Sequence, residues 1–180
     1  RQNNWKHRNL ILAGNFNMTN SNELFNSLIE LGQHPKEYTD TVIIMEKIGH
    51  FLDDAVRKMY KDFKKEGLSK QECSSLISEK LDIFKILKKA SKRWDGGYVI
   101  GGMLGHGDSF VLRDPNGIRP AYYYKDDEVV VVASERPAIQ TAFNVGQKMI
   151  KELDPGNAIA RLVRRTYVRQ HGPQNAESNL

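Results

Sequence analysis

GGYVIGGMLGHGDSFVLRDPNGIRPAYYYKDDEVVVVASERPAIQT, residues Gly96 to Thr141, is the stretch whose reading decides the fold. Tyr98-Val-Ile, Ser109-Phe-Val-Leu, Ala121-Tyr-Tyr-Tyr and Val129-Val-Val-Val are β-branched and aromatic runs too short for helices. Turn chemistry separates them. Asp114-Pro115-Asn116-Gly117 has proline where a turn wants φ near −65° and Asn-Gly where it wants positive φ, so the flanking strands are expected as antiparallel neighbours. Lys125-Asp-Asp-Glu128 makes the next reversal, a short hairpin loop. The unbroken Val129–Val132 run implies a strand covered on both faces and hence a sheet lying between other layers. The glycine-rich Gly101–Gly107 matches neither phosphate-loop pattern, because a strand follows it, and reads as a hairpin turn.

Upstream, Asn9 to Phe16 begins as a buried strand and is expected to break at the small-and-polar cluster Gly14-Asn15-Phe16-Asn17. Asn20 to Gly32 reads as a helix with Asn20 as cap and Glu23 at the third position. A long helix follows, from Thr39 or Asp40 to about Lys65, with apolar residues from Met45 to Phe63 at three- and four-residue spacing. Ser69 and Glu72 form a capping box opening a further helix whose apolar face runs from Cys73 to Leu87. Beyond the meander, Arg136–Asn144 reads as a short helix, Pro155-Gly156 as a turn and Asn157–Val163 as a last strand. Residues 164–180 read as a basic tail or linker. Helices followed by antiparallel strands predict an α+β fold.

Composition excludes several classes. No run of 18 apolar residues spans a membrane, and one cysteine, Cys73, precludes an internal disulfide, so a reducing, cytoplasmic compartment is expected. The net charge of +5 comes largely from lysines on helices mixed with Asp and Glu, which solvated helix faces explain without nucleic acid. The five histidines show no metal-ligand spacing. Cys73, midway along an apolar helical face, reads as packing and not as a nucleophile. Two positions remain open. Asn15, where the first strand breaks, is either a turn residue or a side-chain amide beside exposed N–H groups, the chemistry of an oxyanion hole. Asp40 is either a helix cap or a carboxylate held for another purpose.

GNFNMTN at Gly14–Asn20, TDT at Thr39–Thr41, GGY at Gly96–Tyr98, RDPNGIRP at Arg113–Pro120, ASE at Ala133–Glu135 and LDPG at Leu153–Gly156 together resemble the class II glutamine amidotransferases, above all the glutaminase domains of the amidophosphoribosyltransferase branch. Order and spacing correspond from roughly Leu10 to Val163, and RDPNGIRP followed by ASE is the most specific part. The resemblance implies the N-terminal-nucleophile hydrolase architecture, a four-layer αββα sandwich, here incomplete at its amino end. It implies glutamine as substrate, attacked by an amino-terminal cysteine whose own α-amine is the base. Asn15 and the backbone N–H of Phe16 would hold the oxyanion, and Asp40 the α-amino group of glutamine. Phe16 departs from the glycine usual at that place; its N–H still serves if φ stays negative. Because the sequence starts at Arg1, the resemblance puts the nucleophile's segment, and the phosphoribosyltransferase domain with its Mg2+, outside these residues. No cofactor is expected in residues 1–180, which are expected to be a catalytically silent fragment, with residues 1–163 a partial amidotransferase domain. Sheet edges left open would invite homo-oligomers. The alternative from another class is a non-catalytic regulatory or interaction module with the same sandwich.

Overall fold

The computed structural model describes residues 5–162 and 165–170. The chain forms β1 (Leu10–Met18), α1 (Ser21–Glu30), α2 (Asp40–Lys65), α3 (Lys70–Lys80), α4 (Ile83–Ala90), β2 (Gly96–Leu104) and β3 (Ser109–Arg113). It continues through β4 (Tyr122–Lys125), β5 (Val130–Ala133), α5 (Arg136–Phe143), β6 (Lys151–Glu152), β7 (Asn157–Leu162) and β8 (Arg165–Gln170). Two antiparallel sheets result, one ordered β1-β2-β3-β7-β8 and one ordered β5-β4-β6. The fold is α+β, as the element order predicts.

The layers follow from strand alternation. Leu10, Leu12, Phe16 and Met18 of β1 pack with Ile100, Leu104, Phe110 and Leu112 into the main core beneath α1, α2 and α4. On the opposite face of the large sheet, Val99, Val111 and Ile159 meet Ala121, Tyr123, Val130, Val132 and Leu153, which is the contact between sheets. Beyond the small sheet, Tyr122, Val129 and Val131 pack with Ile139 of α5. Helices, sheet, sheet and helix therefore stack in four layers. The valine run is covered on both faces because consecutive side chains alternate between the sheet partner and α5.

α2 carries the helical layer. Thr39 caps it, its hydroxyl accepting from Val42 N at 3.3 Å, and Ile44, Ile48, Leu52 and Val56 recur every four residues, all buried. Each such side chain contributes roughly 1.5–3 kcal/mol by leaving water. The capping box of Ser69 and Glu72 forms as expected. The single helix expected beyond it is instead two, because the Asp82 side chain accepts from Lys85 N at 3.1 Å and starts α4 afresh.

Four further expectations are corrected. The Asp114–Gly117 turn does not join neighbours of one sheet; β3 belongs to the large sheet and β4 to the small, so the turn is a corner between layers. β1 does not break at Gly14 but runs through Asn17 to Met18, since every residue from Leu10 to Met18 finds a partner on β2. Asn20 stands at the start of α1 without capping it; its Nδ2 donates to Arg93 O at 2.8 Å and its Oδ1 accepts from Asp95 N at 3.3 Å, tying α1 to the entry of β2. Within the stretch read as a tail, Arg165–Gln170 forms β8 against β7, while Val163, Arg164 and residues 171–180 lie outside the described residues.

Candidate active site

The sequence candidates lie along the outer edge of the large sheet. β1 is its edge strand among the described residues. Antiparallel pairs alternate between residues that exchange backbone hydrogen bonds and residues whose N–H and C=O point away. Asn9 O accepts from Gly105 N at 3.1 Å and Asp95 O from Thr19 N at 3.0 Å, so the odd-numbered residues of β1 bond to β2. Tyr98, opposite Phe16, turns its carbonyl the other way and accepts from Asp114 N at 2.8 Å. Phe16 therefore directs its N–H off the free edge of β1. Its φ is negative, because among described non-glycine residues only Arg93 and Asn144 have positive φ. The benzyl group is absorbed by the main core, and the donor that glycine would present is kept.

Asn15 alternates to the other face. It is exposed, sits opposite Val99 of the inter-sheet layer, and its side chain makes no hydrogen bond among the described residues. A free side-chain amide and an outward N–H thus come from consecutive residues on one lip of the sheet.

Asp40 joins the same edge. Thr39 performs the capping, and Asp40 in the first turn of α2 turns to β1: its Oδ2 accepts from Met18 N at 2.9 Å and its Oδ1 from Ser21 Oγ at 2.5 Å. Met18 has the same parity as Phe16, so its N–H also leaves the edge, and the carboxylate fixes the junction of β1 and α1. Asn15 and Met18 stand three residue steps apart along the strand, roughly 10 Å. The carboxylate is half-buried and keeps lone pairs beyond those two bonds.

In RDPNGIRP, the motif most specific to the family, the first two side chains are spent on the fold itself. Asp114 is fully buried and accepts four backbone N–H bonds, from Asn116 (3.0 Å) and Ile118 (2.9 Å) on Oδ1 and from Arg119 (3.1 Å) and Tyr98 (3.3 Å) on Oδ2. Arg113, 4% exposed, donates to the carbonyls of Arg119 (2.7 Å), Gly117 (3.1 Å) and Leu153 (2.5 Å) and to Glu152 Oε1 (2.8 Å). These two residues bind the corner to the LDPG turn, where Gly156 N also donates to Asp114 O at 2.9 Å. Gly117 has φ +65°, and a Cβ there would meet Pro155 Cγ at 2.7 Å, so glycine is required twice over. Gly97 is needed for contact alone: its missing Cβ leaves room for Ile118, whose Cγ2 would otherwise lie at 2.6 Å. Ile118 thereby rests on β2 beside the strand that carries Asn15. Burial holds the Tyr98 phenol well above its ordinary range, and the Asp114 charge adds to this.

Cys73 is fully buried on α3, its thiol 3.8 Å from Leu68 O and away from the β1 edge. No helix among the described residues is long and apolar enough to cross a membrane.

The glutamine amidotransferases class-II family matches residues 42–171, a span holding GGY, RDPNGIRP, ASE and LDPG, while Asn15, Phe16 and Asp40 precede it. The chain belongs to that family. It is 31% identical over 156 residues to the amidophosphoribosyltransferase of Pasteurella multocida and 29% identical over 156 residues to that of Pseudomonas aeruginosa. Each alignment covers 83% of this chain and 27% of the relative, so the chain spans about a quarter of the length of the curated relatives it matches. Among solved structures it is similar to the glutamine phosphoribosylpyrophosphate amidotransferase of B. subtilis complexed with ADP and GMP, with TM-score 0.62 and 22% identity over 96% of this chain and 30% of that one. It is also similar to a structure described as the allosteric regulatory enzyme of purine biosynthesis, with TM-score 0.58 and 21% identity over 91% of this chain and 28% of that one. These likenesses carry the fold, and the N-terminal-nucleophile hydrolase sandwich expected from the motifs is the architecture observed.

Proposed function

We propose that this domain serves glutamine hydrolysis, with Asn15 Nδ2 and the Phe16 N–H receiving the oxyanion and Asp40 receiving the substrate's α-ammonium. The observation that carries this reading is the lip of β1, where an exposed amide without a partner among the described residues adjoins an outward backbone donor on the edge that Asp40 occupies. In the step served, a thiolate adds to the glutamine amide carbon and the carbonyl π pair moves to oxygen. Two preorganised donors then stabilise a charge absent from the ground state. The proton that the nucleophile's base took from the thiol passes to the departing nitrogen, so collapse of the tetrahedral species expels ammonia and leaves a thioester, which water hydrolyses to glutamate with return of the thiol. Asp40 would anchor the far end of the substrate through an ion pair with its remaining lone pairs.

The buried Cys73 cannot supply the thiolate, so residues 1–180 are silent alone and the nucleophile comes from elsewhere in the working enzyme. By likeness to the amidophosphoribosyltransferases, ammonia would pass to 5-phosphoribosyl diphosphate for purine synthesis in a phosphoribosyltransferase domain, where Mg2+ would accompany the diphosphate.

Amide NMR during titration with glutamine tests the reading. The Asn15 side-chain NH2 and the Phe16 N–H are expected to shift, and Asp40→Asn is expected to weaken the response about tenfold, the loss of one charge-assisted contact. Shifts confined to other residues would overturn the assignment, as would labelling of Cys73 by a glutamine-analogue electrophile.

A further inference from the structure

Far from β1, the C-terminal half of α2 runs beside the end of α3 and the whole of α4, and a groove of about 660 Å³ lies between them. Its floor is apolar, formed by Phe51, Ala55 and Met59 of α2 with Leu81 and Ile86. Its walls are cationic. Arg57, Lys61 and Lys65 recur every four residues along α2, and Lys85 and Lys89 do the same on α4, placing one basic stripe on each side. In all, seven cationic side chains line the groove against three carboxylates. Those carboxylates are partly engaged: Asp82 caps α4, and Asp54 lies 4.0 Å from Arg57 and 3.8 Å from His50. Lys61, Lys65, Lys85 and Lys89 have no acidic partner among the described residues.

A merely solvated helix face needs neither the half-buried apolar floor nor two parallel basic walls. From Phe51 to Lys65 the groove runs fourteen residues of helix, roughly 21 Å. That length and charge match a helix of about four turns with an apolar stripe between acidic flanks. A second copy of the chain is excluded from docking face to face, because equal basic stripes would oppose each other. Nucleic acid and small polyanions would satisfy the walls and leave the floor unused.

We propose that the α2–α4 groove is a docking site for an acidic amphipathic helix of a partner protein. The site is independent of the glutamine reading, since even its nearer end, Phe51, stands eleven residues, about 16 Å, along α2 from Asp40.

The test uses the purified 180-residue chain and a fluorescent synthetic peptide of about fifteen residues, with leucines at three- and four-residue spacing flanked by glutamates. Saturable binding is expected with a gain in peptide helicity, and chemical-shift changes on the protein should confine themselves to α2, the end of α3 and α4. The double variant Lys61→Glu/Lys85→Glu, altered only at exposed positions, should bind about tenfold or more weakly while its circular dichroism stays unchanged. A peptide of equal charge with leucines replaced by serine should lose a similar factor. Equal binding of the serine peptide, equal competition by inorganic polyphosphate at matched charge, or indifference to the double variant would each overturn the proposal.

Discussion

Asn15 and Asp114 stand on either side of the same strand, since Asn15 pairs with Val99, Val99 pairs with Arg113, and Asp114 follows. Both lie in motifs that carry the family resemblance. Asp114 is sealed from solvent with four N–H donors on its carboxylate, whereas Asn15 is exposed and its amide is unengaged among the described residues. A polar group whose bonding capacity is consumed within the fold stabilises it and has little left for a ligand. One held rigidly by a paired backbone with its side chain free can act on one. Motif membership does not separate these roles, and bonding does.

The largest effect should come from the sealed side. Asp114→Ala would strand the N–H groups of Tyr98, Asn116, Ile118 and Arg119 together with the corner they hold. A loss of roughly 3–5 kcal/mol is expected in chemical denaturation. Unchanged stability would erase the contrast.

His7 offers an intermediate case, buried like Asp114 but unsatisfied: neither ring nitrogen has a hydrogen-bond partner among the described residues. Burial, then the charges of His106, Arg8 and Lys6, lower its pKa to about 4. A histidine depressed in the folded state stays neutral while the unfolded chain takes up a proton near its ordinary value of about 6.5. Its contribution is therefore intact above that value and is lost as pH falls from about 6.5 to about 4, with a ceiling of roughly 3 kcal/mol. Denaturation at pH 7 and pH 5 should show this slope, and His7→Leu should flatten it. A slope unchanged by His7→Leu would place the acid sensitivity elsewhere.

Asp40 combines both characters. Asp40→Ala removes the acceptor for Met18 N and Ser21 Oγ and should cost roughly 1–2 kcal/mol, read as a lowered denaturation midpoint. The smallest effect belongs to Asn15→Ala, within about 0.5 kcal/mol in stability, while the glutamine-dependent shift at Phe16 N–H is lost. A large stability loss at Asn15 would move it into the structural class with Asp114.

Much of this was legible in the sequence. The four strands of Gly96–Thr141, the long helix, the capping box at Ser69 and the double coverage of the valine run follow from side-chain period and turn chemistry, which act over a few residues. The candidate residues came from resemblance, and their geometry did not. Gly-Asn-Phe-Asn carries turn propensity and points to a break at Asn15, but pairing with β2 along the whole of β1 overrides that local preference. The charge of Arg165–Gln170 points to a tail, yet β7 offers the segment an edge to pair with.

The linear chain by itself determined most of the elements, the α+β class and the family, because those depend on residue type and spacing. Only the tertiary structure decided that the Asp114 corner passes between two sheets, that Arg113 reaches from one motif to Glu152 and Leu153, and that Phe16 turns its N–H outward. Each of these depends on strand register and on contacts between segments distant in sequence, and register is set by which faces are buried together.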